Sequence, residues 1–530
     1  MFFTSYEFMA FLFVLLVLYY CIPGKYQWQL LLAASYLFYF MAGADYLIYI
    51  LLTTSSTYFA AGMIEENRKK QDAYLNAYKA ELSREERKAY KEKQKRARRR
   101  WLIACLMLNL GVLAIVKYAN FAISSANIIL HMLGGEGELS YLTLAIPLGI
   151  SFYTFQAAGY LVDVYRGVCP AEQNPFRFAL FVSFFPQLIQ GPISRFQDLS
   201  RTLYGQRRFQ AETVCLGLQR ILWGYFKKMV VADRILAGVS TITGDTAAYS
   251  GAYIFAGMIF YTVELYADFT GGIDITIGIA QAMGITVQEN FIRPYFAASL
   301  KEYWRRWHIS MCSWFRDYVF YPVSISGWMK TISRFFRSHL GEKMGKRIPV
   351  YLSSFLVWAA TGIWHGASWN FVFWGIGNWA ILMVSEELEP CYERFQRRFA
   401  LEGNRAYKVF QVARTFLLVC ILNLFDCYTS LADTFGMVAS LFTAGNWHVL
   451  WDGSLLNVGL TQLDYAILAL GVWVMFLVSC CQRSGSVREK IARLAYPLRF
   501  CVWYGLFLAV LLLGAYGIGY DKSQFIYNQF

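Results

Sequence analysis

Charged residues are scarce in this 530-residue sequence, at 16% against the roughly 25% of a soluble globular chain. The shortage argues against the several soluble domains such a length would allow, because too little polar surface is present to cover several cores. The eleven cysteines include no CxxC pair and no Cys/His cluster at zinc spacing, so no metal is expected. Cys21, Cys105, Cys420 and Cys501 sit inside apolar runs, and Cys480 and Cys481 close another; all read as small buried residues. There is no Gly-x-Ser-x-Gly stretch and no serine triad, which argues against a covalent serine intermediate. No internal repeat is visible, which disfavours an inverted-repeat transporter. The first apolar run, from about Phe8 to Ile22, lacks a basic flank and an A-x-A site, and reads as a retained helix.

What is present is apolar. Hydrophobic residues make up 57% and aromatic residues 18%, with a mean hydropathy of +0.37. Such a chain reads as an all-α polytopic membrane protein, since lipid tolerates only helices and closed barrels as spanning structures. After the first run, candidate spans are 27–43, 45–63, 101–118, 141–162, 176–191, 214–231, 252–268, 349–365, 369–385, 409–427, 463–481 and 499–517. Several are short or interrupted by Gly and Pro and read as partial or re-entrant, so about eleven true spans are expected.

The net charge of +14 is concentrated in one place: residues 65–100 hold 14 Lys/Arg and 7 Asp/Glu, a surplus of 7. That distribution reads as a cytoplasmic bias rather than a nucleic-acid groove, and the stretch itself as a solvated helical hairpin. Glu66–Lys70 and Glu92–Arg96 are favourable i,i+4 pairs within it, whereas Glu81–Glu85 is a like-charge pair. With 65–100 inside, two spans earlier Lys25 is also inside and the N-terminus outside. The basic loops 385–408 and 482–499 fall inside, the Lys/Arg-free segment 428–462 outside, and the C-terminus outside. The organisation expected is N-terminal transmembrane helices over 1–64, a charged cytoplasmic insertion over 65–100 and a membrane core over 101–530.

Ionisable residues within apolar sequence are the informative ones. Of five histidines, His131, His339 and His448 lie in loops. His365 joins two apolar runs and is flanked by Gly362 and Gly366, where the backbone can turn or be approached closely. A neutral imidazole there can take a proton from a hydroxyl or thiol near neutral pH. The alternative is a histidine hydrogen-bonded across helices. His308 follows Trp304-Arg305-Arg306-Trp307; if that segment is helical, Trp304, His308, Cys312 and Phe315 share a face. The plain reading is an interfacial amphipathic helix. Asp268 and Asp274 would be acid/base groups, ion ligands or, as favoured, structural partners of basic residues. Their six-residue spacing does not put them on one helical face.

Several stretches occur together in a recognisable order. They are Pro147 to Gln156, Asp163 to Gly167, Phe185 to Ile193, Asp268 to Gly278, Asn290-Phe291 with Pro294-Tyr295, Trp304 to Ser310, Gly362 to Trp369, and the terminal Phe525 to Phe530. With these the chain resembles the membrane-bound O-acyltransferase (MBOAT) family, in particular its bacterial alginate O-acetylation branch and more distantly its teichoic acid D-alanylation branch. The likeness covers about residues 5–64 and 101–530; the 65–100 insertion departs from it. It implies helices around a central funnel open to the outside, with a narrow passage from the inside. It makes His365 the essential histidine and His308 the second polar residue of the active site.

On that resemblance the expected activity is O-acyl transfer in a bacterial inner (plasma) membrane. Acetyl-CoA would be the donor substrate, with no bound cofactor, and Arg305 and Arg306 weak candidates for its phosphates; ordinary positive-inside charge is the other account of those arginines. A secreted or membrane-anchored acetyltransferase, or a small acceptor protein, would complete transfer to an extracellular polysaccharide. The alternatives are D-alanyl or other acyl transfer to a cell-wall polymer, a transporter coupled through Asp268 and Asp274, or a scaffold for a secreted acetyltransferase.

Overall fold

The computed structural model of the protein describes residues 3–135 and 137–516. The terminal Phe525–Phe530 stretch and the outward C-terminus expected above lie outside the described residues. Helix accounts for 79% of the structure, and no strand occurs among the described residues. The chain forms two compact units, Met1–Val214 with Ala280–Val287 and Cys215–Ile279 with Gln288–Phe530.

In the first unit the helices Leu47–Ala77 and Arg84–Met132 make a hairpin that carries the charged 65–100 stretch. Ser83 starts the second arm with a capping box: its hydroxyl accepts from the Glu86 N–H while the Glu86 carboxylate accepts from the Ser83 N–H. Asn67 donates to Gln94 at 2.6 Å and Arg98 to Gln71 at 2.9 Å, tying the arms together. The expected Glu66–Lys70 pair is present at 2.6 Å. Each arm runs without a break into an apolar helix. The span expected over 141–162 begins only at Ile150. Pro147 and Gly149 hold the preceding residues out of the helix. Gly149 has φ +67, and a Cβ there would lie 2.2 Å from the Leu188 carbonyl oxygen, so only glycine fits. The span expected over 176–191 is divided at Phe184 into Pro175–Ser183 and Phe185–Gln190. These pieces are fixed by buried rings, among them Tyr160 against Phe178 at 4.7 Å and Phe196 at 4.9 Å.

The 31-residue helix Ala252–Ala282, which belongs to the second unit as far as Ile279, carries Glu264, Asp268 and Asp274 in otherwise apolar sequence. The chain before it widens into a π-helical turn over Phe226–Ala232, which includes the adjacent Lys227 and Lys228. Lys227 Nζ donates to Asp274 at 2.6 Å and to Thr270 at 2.8 Å. Lys228 pairs with Asp268 and, at 2.7 Å, with Asp233. Arg220 grips both Glu289 oxygens at 2.6 Å and reaches Asp274 at 2.8 Å. Six residues along a helix place Asp268 and Asp274 about 120° apart, so each meets its own lysine. This is the structural pairing that their sequence setting favours. The lysines that supply it stand inside an apolar run, where the sequence reading assigned them no role.

Five helices among the described residues are long and apolar enough to cross a bilayer. They are Ala44–Ala77, Arg84–Met132, Arg405–Cys427, Gln462–Ser484 and Tyr496–Leu513. Tyr6–Cys21 and Leu431–Thr443 are apolar but shorter. The latter lies in the segment expected to be an outer loop.

Candidate active site

The site is built in the second unit around a break and a hairpin. The segment after Ser299 is not the single amphipathic helix of the sequence reading. Leu300–Arg306 ends at Trp307, and Ile309–Phe315 begins after His308, which takes a left-handed backbone with φ +46. The neighbouring chain holds the break open: the Ile292 N–H donates to the Arg306 carbonyl at 2.9 Å and the Ile309 N–H to the Asn290 carbonyl at 3.0 Å. His308 is therefore drawn wholly inside rather than laid at a membrane surface.

Asn290 fixes that imidazole. Its Oδ1 accepts from the Ser310 N–H at 2.9 Å, and its Nδ2 and Oδ1 stand 3.2 Å and 3.4 Å from His308 Nδ1. A neutral His308 that accepts at Nδ1 carries its proton on Nε2 and can donate there. Phe269 packs edge-on against the ring at 4.9 Å, and Phe291 lies nearly parallel to it at 6.5 Å.

His365 ends the Gly327–His365 helix, which bends at Gly341, so the span expected from 349 is its second part. The next helix, Trp369–Glu387, folds back on it. The hairpin is close-packed because glycines face backbone: a Cβ on Gly375 would lie 2.3 Å from the Trp358 carbonyl oxygen. His365 is half-buried and meets Trp374 edge-on at 4.8 Å. Trp364 stands between the two histidines, 5.1 Å from the His365 ring and 6.0 Å from that of His308. Below them Trp304, Trp358 and Trp374 pack together, with the Trp304 indole N–H donating to Asn378 at 3.0 Å.

The structure thus brings together His308 and His365, two residues 57 positions apart in sequence, and adds Asn290 and Trp374, which the sequence reading left without a role. Asn290 stood in view beside Phe291. Its importance shows only once its amide is seen to bridge the break. Asp268 and Asp274 are held in ion pairs. Arg306 is engaged by Glu302 at 2.5 Å and by the Arg293 carbonyl at 3.2 Å, whereas Arg305 is exposed. Among the described residues no group of three or more His, Cys, Asp or Glu is arranged to hold a metal.

Such a pair, one imidazole anchored by an amide and another at a helix break, suits proton transfer beside a polarised carbonyl. Residues 171–430, which include both histidines, match the model of the membrane-bound O-acyltransferase family. Over 481 residues the chain is 32% identical to the probable alginate O-acetylase AlgI of Pseudomonas aeruginosa, covering 88% of this chain and 78% of that protein. It is 30% identical to the peptidoglycan O-acetyltransferase of Helicobacter pylori over 69% of this chain and 65% of that one. It is 26% identical to the teichoic acid D-alanyltransferase of Bacillus subtilis over 52% and 66% respectively. The chain belongs to the membrane-bound O-acyltransferase family and is a multi-pass membrane O-acyltransferase.

Proposed function

We propose that the protein moves acetyl groups from cytoplasmic acetyl-CoA across a bacterial inner membrane for O-acetylation of an extracellular polysaccharide. The supporting observation is the placing of two imidazoles against Trp364, one of them anchored at Nδ1 by the Asn290 amide; in this reading the amide N–H donates there and leaves the His308 proton on Nε2. His365 is the general base. It takes the proton of the acceptor hydroxyl as that oxygen attacks the thioester carbonyl, and returns it to the sulfur as the C–S bond breaks. His308 donates to the carbonyl oxygen, where negative charge develops. Arg305 remains a candidate for the donor's phosphates. The donor reaches the site through a narrow inner passage and the acceptor through an outer funnel. A separate extracytoplasmic transferase or small acceptor protein completes delivery to the polymer. We also assign about eleven spans, with both termini outward.

Membranes containing the protein should release CoA from acetyl-CoA when an acceptor is supplied. An intact thioester under conditions that move acetyl groups outward would replace catalysis with transport.

The orientation is open to a separate test. Lys79→Cys, read against the wild-type background of eleven cysteines, should react with an impermeant thiol reagent only after the cells are permeabilised. Reaction in intact cells would invert the topology.

A further inference from the structure

A cavity of about 720 Å³ in the second unit is lined mostly by residues with no part in the chemistry assigned above, although Phe291, which packs on His308, is among them. One side is the helix Gln462–Cys481, through Ile467, Gly471, Val474 and Val478; the other is Tyr496–Leu513, through Gly505, Leu506 and Leu513. From Ile467 to Gln482 the slot follows fifteen residues of chain, about 22 Å at helical rise. One leaflet of hydrocarbon is about 15 Å, half of the roughly 30 Å core. The slot therefore has the length of an acyl chain with room for a headgroup. Its outer wall is thin, since no residue of Tyr496–Leu513 is buried.

The two ends differ. Towards Leu513 the lining is apolar. At the other end it includes Arg220, Arg293, Arg488, Asp274, Glu289 and Glu489. Arg220 is matched by Asp274 and Glu289. Arg293 is not matched in this way. It holds a left-handed backbone at φ +50, and its Nε is buried with no hydrogen-bond partner in the structure. A strained arginine with unused donor capacity beside an apolar slot is arranged for an anionic group. Arg488, whose guanidinium also donates to the Leu216 carbonyl at 2.6 Å, adds a second cation at that end. An apolar cavity of about 150 Å³ stays dry and takes up apolar guests. One nearly five times larger, screened from lipid by a single helix, is filled by a lipid chain more readily than by water.

We propose that this slot binds one phospholipid from the leaflet on the Arg488 side. Its phosphate meets Arg293, and an acyl chain lies between Gln462–Cys481 and Tyr496–Leu513. Basic pockets between membrane helices recognise lipid headgroups in this way. The lipid count is independent of the acyl-transfer reading; only the comparison of donor KM rests on it.

The test uses the full-length protein extracted in mild detergent, with bound phospholipid counted by native mass spectrometry and by lipid extraction. The wild type should retain one phospholipid. Gly505→Trp should lose it, because a Cβ at Gly505 meets nothing within 4 Å and the indole would obstruct the slot. Arg293→Gln should retain several-fold less. Unchanged elution and thermal unfolding of Gly505→Trp establish that it folds, and its KM for acetyl-CoA should match the wild type. Two results would overturn the site: a wild type without phospholipid, or a well-folded Gly505→Trp that still carries one. A rise in donor KM in the second case would give the slot to the thioester.

Discussion

Replacing His365 with alanine is expected to lower acyl transfer at least about a hundredfold, the lower bound for loss of a positioned general base. Yield and elution should be unchanged. The side chain is half-buried at a helix end, packed edge-on against Trp374, and the fold around it rests on glycine-to-backbone contacts that the substitution does not touch. His308→Ala should cost an equal or smaller factor, since in the proposed mechanism that imidazole polarises rather than carries the obligatory proton. CoA release by membranes of matched protein content separates the outcomes. A well-folded His365→Ala protein with a tenth or more of wild-type activity would sink the general-base assignment.

The second large effect concerns folding. Lys228→Met should leave Asp268, which is fully buried, and Asp233 facing each other without their shared cation. Removing one partner of a buried ion pair costs about 3–5 kcal/mol, because the remaining charge is stranded. Most of the protein should then be lost from the monodisperse peak in detergent. Lys228→Met with Asp268→Asn should recover part of it. Lys70→Met, in the exposed Glu66–Lys70 pair, should be silent in the same assay. A monodisperse, thermally unaltered Lys228→Met protein would show that the buried pairs are not structural. It would also return Asp268 to the candidates for ion coupling.

Much of this was legible in the sequence because hydrophobic composition and histidine scarcity restrict the possibilities strongly. The apolar runs located most helices, and His365 stood out as an imidazole between glycines. The charged stretch read as a helical hairpin and is one. What could not be read is where backbone geometry departs from the repeat. A helical period drawn through Trp304 and His308 gives no sign that His308 turns left-handed, because the cause lies at Asn290, eighteen residues earlier. The π-helical turn that presents Lys227 and Lys228 to separate carboxylates is hidden for the same reason. Pro147 and Gly149 gave a visible signal that the helix starts late, yet the apolar composition of 141–149 outweighed it. Span counting by apolarity also falters at Ala252–Ala282, where three carboxylates sit in a long helix and the cations that pair with Asp268 and Asp274 come from elsewhere in the fold.

The Arg84–Met132 helix has a consequence for how its charged arm can be altered. Its 49 residues rise about 74 Å, more than twice the roughly 30 Å of hydrocarbon, so the helix continues well past the lipid as one rod. A rod has phase. Cys105, Asn109, Leu113 and Val116 turn one stripe inward, and Arg98 continues the contact onto Gln71 of the opposite arm. Removing a single residue from the arm rotates everything beyond the cut by about 100° and slides it by about 1.5 Å. The pairing between the arms then fails even though no contacting side chain has changed. Seven residues, nearly two full turns, bring the stripe back to within about 20°. The arm can therefore be shortened only in steps of its own winding, with the same length taken from Leu47–Ala77, so that the two strands of the rod stay in step.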